Sequence, residues 1–171
     1  MARDNFNPSV ETEARLLLLI ERFSRGANSL EGRTKLAKLD FFVRYPEFLD
    51  RILKLKGIND KGVPPDKSID FESRMIRYRY GPWDPSYFAT LGRLLGKRLI
   101  AAIPSNRGIA YRASDAGRSL ADALRAESAW AEYVDRIDVV HRHLNLSGSN
   151  LKNLVYESFP EISQASWGKR L

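Results

Sequence analysis

"RYRYGPWDPSYFATLGRLLGKRLI", residues 77–100, runs a short alternating segment into a Gly-Pro step and then an amphipathic helix, and its reading decides the fold. Met75, Arg77 and Arg79 alternate with Ile76, Tyr78 and Tyr80, which predicts a short strand ending at a Gly81-Pro82 turn. Asp84 and Pro85 supply the cap and the first-turn proline of a helix. On that helix Phe88, Leu91, Leu94 and Leu95 form the apolar side, with Thr90, Arg93 and Lys97 opposite. So many cations and aromatic rings in one run fit three roles: a nucleic-acid surface, a seam with another protein, or the middle of a core.

Downstream, the runs "LIAAI" and "IAYRA" are separated by "PSNRG", whose Asn106 and Gly108 tolerate the positive φ of a tight connection. A β-hairpin is expected there. Ser114 and Asp115 cap a helix reaching about Glu127, and Trp130, Tyr133, Val134, Ile137, His141 and Leu144 continue a helical stripe. Gly148 breaks it, and Leu151, Leu154 and Val155 make one last short helix before Pro160.

Upstream, Asn7 or Ser9 caps a helix from about Val10 to Ser24, with Glu11 and Glu13 in the first turn where the helix dipole favours acids. Its apolar run Leu16 to Ile20 leaves little polar face, so the middle of this helix is expected to be buried on several sides, as the central core element. In "EGRTKLAKLDFFVRYPEF" the residues Leu36, Leu39 and Phe41 or Phe42 have helical spacing, and Pro46 ends that helix while opening another that carries Leu49, Ile52 and Leu53. Gly57 to Asp70, with Pro64 and Pro65, reads as a loop. The order predicts a mainly α chain with a small β-hairpin, an α+β class: a winged helix-turn-helix over residues 1–128, with a loop insertion near 56–74 and a C-terminal helical extension over 129–171.

The chain has 171 residues, enough for one domain with its own core. It has no cysteine, which removes disulfides, zinc-thiolate sites and thiol catalysis and suits a reducing compartment. Neither a signal peptide nor a membrane-spanning run is expected at the N-terminus, so a cytoplasmic location is. A formal charge of +7 favours polyanionic or acidic partners.

Catalytic chemistry finds little footing in this sequence. His141 and His143 are two residues apart on a helix and point to different faces, so they cannot share one metal ion. "GKR" at 96–98 lacks the first glycine and the final hydroxyl of a phosphate-binding loop. Asp115, Asp122 and Glu127 fit caps and solvated positions better than a carboxylate pair. No enzyme, cofactor or metal is expected.

Binding is the better expectation. The nucleic-acid candidates are Arg77, Arg79, Arg93, Lys97, Arg98, Arg107 and Arg112, because in a winged helix the third helix and the wing meet the groove and its phosphates. Each of these arginines is also explained singly by a surface ion pair or by its stem covering apolar surface. Tyr80 and Trp83 are the candidate aromatic anchors for a partner, whereas Tyr87 and Phe88 read as core.

At "EGRTKLAKLDFFV", "MIRYRYGPWDPSYFATLGRLLGKRLI", "YRASDAGRSLA" and "SGSNLKNLVYESFPE" the chain resembles the middle components of ABC-three-component systems, including the small accessory subunit of Lamassu-type anti-phage defence. The strand, "GPW" turn, helix and hairpin are also similar to other conflict-system winged helices such as Panacea-type antitoxins. The resemblance implies a non-catalytic adaptor beside an SMC-like ABC ATPase and a nuclease-like effector, supporting DNA sensing. Under it, Trp130, Tyr156 and Trp167 form a second partner surface. The alternatives are a stand-alone winged-helix transcriptional regulator and an antitoxin-like protein.

Overall fold

Leu16, Leu17, Leu18, Leu19 and Ile20 are all buried, so the first helix runs through the centre of the molecule. The computed structural model describes residues 8–61, 75–78 and 81–171. Helix α1 (Val10–Phe23) starts at Ser9, whose hydroxyl accepts from the Thr12 amide. Strand β1 (Leu30–Glu31) follows, then α2 (Arg33–Arg44) and α3 (Pro46–Leu55). Tyr45 ends the first of these two helices and begins the second, because Pro46 cannot donate to the preceding turn but suits the first turn of the next.

Strands β2 (Ile76–Tyr78) and β3 (Gly81–Trp83) form a small antiparallel hairpin. Gly81 and Pro82 were expected as turn residues and instead belong to β3, opposite Tyr78 and Arg77. Gly81 has φ +102 and lies against the Lys38 side chain, where a Cβ would come within 3.1 Å of the Lys38 Cε. Residues 168–171 extend this hairpin: the Gly168 amide donates to the Arg77 carbonyl at 2.7 Å, and the Arg77 amide donates to the Lys169 carbonyl at 2.8 Å.

Helix α4 (Tyr87–Gly96) ends in a Schellman arrangement, with the Leu99 amide on the Leu94 carbonyl and the Arg98 amide on the Leu95 carbonyl. Arg98 occupies the left-handed position at φ +56, where glycine is the more usual residue. Strands β4 (Ile100–Ser105) and β5 (Gly108–Ala113) then form the expected hairpin around Asn106 and Arg107. The two-residue β1 joins its far edge, giving the order β1-β5-β4, with Leu30 opposite Tyr111.

Helices α5 (Asp115–Ala126), α6 (Ala131–His143), α7 (Gly148–Ser158) and α8 (Pro160–Ser163) complete the chain. Val139, Val140, Leu144, Leu151, Val155 and Phe159 join the same core as α1 and α2. The expected C-terminal extension is therefore packed into the body of the molecule. The result is a mainly helical α+β protein with small antiparallel sheets. Among the described residues no helix is long and apolar enough to cross a membrane.

Polar side chains are buried between the helices as well. Arg15 of α1 and Asp40 of α2 are both fully buried and pair at 2.7 Å. The Tyr87 hydroxyl donates to Asp40 at 2.6 Å, and Arg44 reaches Asp84 at 2.6 Å and Asp40 at 3.6 Å. Asp84 also accepts from the Ser86 amide at 2.8 Å, so it shapes the entry to α4 from two residues before Ser86, the cap position. This network ties α1, α2 and α4 together through buried charges.

Candidate functional site

Two neighbouring surfaces stand out: a basic cleft and the outward side of α4. The cleft has a volume of about 540 Å³ and lies where the start of α2, the β4–β5 turn and the start of α7 meet. Among the described residues, Arg33, Lys35, Arg107 and Lys152 line it against a single carboxylate, Glu31. Glu31 reaches Arg107 at 3.8 Å. Arg33 is exposed and stacks its guanidinium over the Phe88 ring at 4.7 Å, and neither it nor Lys152 forms an ion pair among the described residues.

Two glycines give the cleft its shape. Gly32 precedes α2 at φ +85 and offers no side chain to cap it, so the first amides of that helix lack a side-chain acceptor. Gly148 lies against those amides, since a Cβ built on it would come within 3.1 Å of the Lys35 nitrogen. Lys35 bonds Asn145 at 2.7 Å. Burial, as the largest influence, holds its ammonium below the ordinary lysine value; Glu31 opposes this and the Arg107 charge adds to it.

The outward side of α4 is different in character. Tyr87, Thr90, Leu91 and Leu94 face inward, while Phe88, Ala89, Gly92, Leu95 and Gly96 are exposed. The expected faces are therefore rotated. Thr90 is fully buried because its hydroxyl bonds the Ser86 carbonyl at 2.9 Å, and Phe88 is 59% exposed, against the core position expected for it. A satisfied hydroxyl can be buried without penalty, which hydrophobic periodicity does not register. Trp83 is half-buried beside this surface, edge-on to Tyr87 at 5.1 Å and tilted against Phe88 at 5.8 Å.

The expected nucleic-acid residues do not gather into one patch. Arg93 and Lys97 both bond Glu13 near the start of α1, Arg93 at 3.3 Å. Arg112 instead bonds the Gly26 carbonyl at 2.6 Å, just past the other end of α1, roughly 15 Å or more away by helical rise. Arg107 sits at the cleft, and Arg98 is exposed at the end of α4. Arg77 is buried, with its Nε on the Ile162 carbonyl at 3.1 Å and its guanidinium over the Tyr156 ring at 5.1 Å, so it is a structural clamp without access to a ligand. Arg79 lies outside the described residues.

The expected partner residues are also dispersed. Tyr80 lies outside the described residues. Tyr156 is half-buried against Arg77, Trp130 packs on Tyr133 with ring centres 5.4 Å apart, and Trp167 is 66% exposed near the C-terminus. Sequence reasoning missed Arg33, Lys35 and Lys152 as a cluster. The available signal was the repeated pattern of a glycine leading into a basic helix start, in "EGRTK" and "SGSNLK".

His141 is half-buried, edge-on to Phe23 at 4.9 Å, and His143 bonds Asp60 at 2.8 Å. Among the described residues no three His, Asp or Glu side chains are placed to hold a metal ion. No protein-family model, curated protein or solved structure matches the chain.

Proposed function

We propose that this chain is a non-catalytic winged-helix adaptor of a prokaryotic anti-phage defence complex, joining an SMC-like ABC ATPase to a nuclease-like effector. The order α1, β1, α2, α4, β4, β5, with sheet order β1-β5-β4, supports the winged-helix reading. Helix α3 and the β2–β3 hairpin then form an insertion between the second and third helices of the motif.

The observation that carries the adaptor reading is the outward face of α4. In a DNA-reading winged helix the third helix enters the major groove and presents polar groups to base edges. Here that helix presents Phe88, Ala89, Gly92, Leu95 and Gly96 beside two half-exposed cations, Arg93 and Lys97, that are engaged by Glu13. A smooth, largely apolar strip beside Trp83 suits a protein partner.

Co-expression with the neighbouring genes, purification through a tag on this chain and mass determination by light scattering test the reading. A defined assembly containing an ATPase is the expected result, and Gly92→Arg should disrupt it while leaving the isolated chain folded. A lone monomer or dimer that binds DNA would replace the adaptor with the transcriptional regulator.

A further inference from the structure

The basic cleft adjoins the α4 surface, touching it where Arg33 stacks on Phe88, and is otherwise built from different residues. Its four cations come from three separate stretches of chain: Arg33 and Lys35 on α2, Arg107 on the wing turn and Lys152 on α7. With Glu31 the only carboxylate among the described residues of the lining, the cleft holds a local excess of positive charge that internal ion pairing leaves uncancelled. Like charges brought together by a fold repel one another; the lowered ammonium of Lys35 reflects burial first, with Glu31 opposing it and the nearby Arg107 adding to it. An anion entering the cleft relieves that repulsion.

We propose that this cleft binds phosphate groups of a nucleic-acid strand. The lining supports phosphate recognition on chemical grounds. Guanidinium and ammonium groups are spread over a cleft of about 540 Å³, wide enough for more than one anionic group. Thr34 and Ser149 add hydroxyls to the lining. Arg33, backed by the exposed Phe88 ring, places a flat cationic surface at the rim that suits stacking with a base. A strand is favoured over an enclosed small molecule because Arg33, Arg107, Ile109 and Ser149 are all exposed, leaving the cleft open along its length. Because α7 supplies one wall, the site extends beyond the helix and wing with which a winged helix meets DNA.

The full chain is titrated against a fluorescent single-stranded oligonucleotide of roughly 12 nucleotides, a length within the usual single-strand site size. Arg33→Ala with Lys152→Ala should weaken binding about tenfold or more and flatten the salt slope by about 0.7 for each phosphate that is no longer neutralised. Ser149→Glu should also weaken it. An acid in the first turn of α7 favours the helix dipole, so that loss reports charge in the cleft and not unfolding. Arg118→Ala, which removes an arginine paired with Asp115 on α5, should leave binding unchanged.

No binding by the native chain, or an equal loss with Arg118→Ala, would overturn the site. Competition by ATP as strong as that of unlabelled oligonucleotide would overturn the strand and make a free nucleotide the source of the phosphate. These outcomes are distinguished from the adaptor reading by Lys152→Ala and Ser149→Glu, which leave the Arg33–Phe88 contact in place: they should weaken oligonucleotide binding while complex formation through α4 persists.

Discussion

Arg15 and Asp40 meet in the centre of the protein with neither side chain exposed: Nε is 2.7 Å from Oδ1 and Nη2 is 3.3 Å from Oδ2. The pair joins α1 to α2, and Tyr87 brings α4 to the same carboxylate. Three helices thus depend on one buried acid.

Asp40→Asn should destabilise the fold by about 3–5 kcal/mol, because the fully buried Arg15 loses the carboxylate it pairs with, while Arg44 keeps Asp84. Burial is the largest influence on Asp40 and pushes its carboxyl up, yet Arg15 and Arg44 outweigh it and hold the group below the ordinary carboxylate range. A depressed folded value contributes stability that is present above the unfolded value and is lost as pH falls through the folded one. Urea unfolding at neutral and acidic pH should therefore show a steeper acid loss for the native chain than for Asp40→Asn.

Lys38 is 1% exposed and donates to the Pro82 carbonyl at 3.2 Å. Burial, with Arg77 and Lys152 nearby, pushes its ammonium down to about 7 from an ordinary 10.5. Between those values the unfolded chain binds more protons than the folded one, so this group makes stability rise with pH across that interval. Lys38→Met removes the dependence. Its stability relative to the native chain should be greatest below pH 7 and should fall as the pH approaches 10, measured by chemical denaturation across that range.

Glu13 engages Arg93 and Lys97 from the side of α1. Both cations are half-exposed, so Glu13→Gln should change stability by no more than about 1 kcal/mol. It frees two positive charges beside α4, and non-specific duplex binding should become tighter and more salt-sensitive. Unchanged duplex binding would mean that this end of α4 stays away from nucleic acid.

Gly117 in the first turn of α5 sits against the backbone of Leu99: an added Cβ would stand 1.9 Å from the Leu99 carbonyl oxygen. Gly117→Ala must separate α5 from the Leu99 backbone and should destabilise by about 1–3 kcal/mol. Gly92, with open space around its Cβ position, behaves oppositely. Gly92→Ala should stabilise the isolated chain by about 0.5–1 kcal/mol. Thermal unfolding of the two variants checks both signs.

Most of the helices and the main hairpin were legible in the sequence because their signals are local. Ser9, Pro46, Ser114 and Gly108 act within a turn of their own positions, and the apolar run from Leu16 to Ile20 announces its burial without reference to anything else. Strand β1 was not legible, since two residues carry no periodicity and exist as a strand only because β5 pairs with them. The rotation of α4 depends on Tyr87 and Thr90 finding buried partners in Asp40 and Ser86, a choice made by satisfied hydrogen bonds over apolar count.

The sequence by itself determined most of the helices, the β4–β5 hairpin and the central buried run, along with a net positive charge. Only the tertiary structure decided which charges meet. It placed Arg93 and Lys97 on Glu13, took Arg77 into the interior, and brought Arg33, Lys35, Arg107 and Lys152 to one cleft. Side-chain periodicity extends over a few turns, whereas those encounters join residues whose separation along the chain is bridged by the packing of α2, α7 and the β4–β5 hairpin around one core.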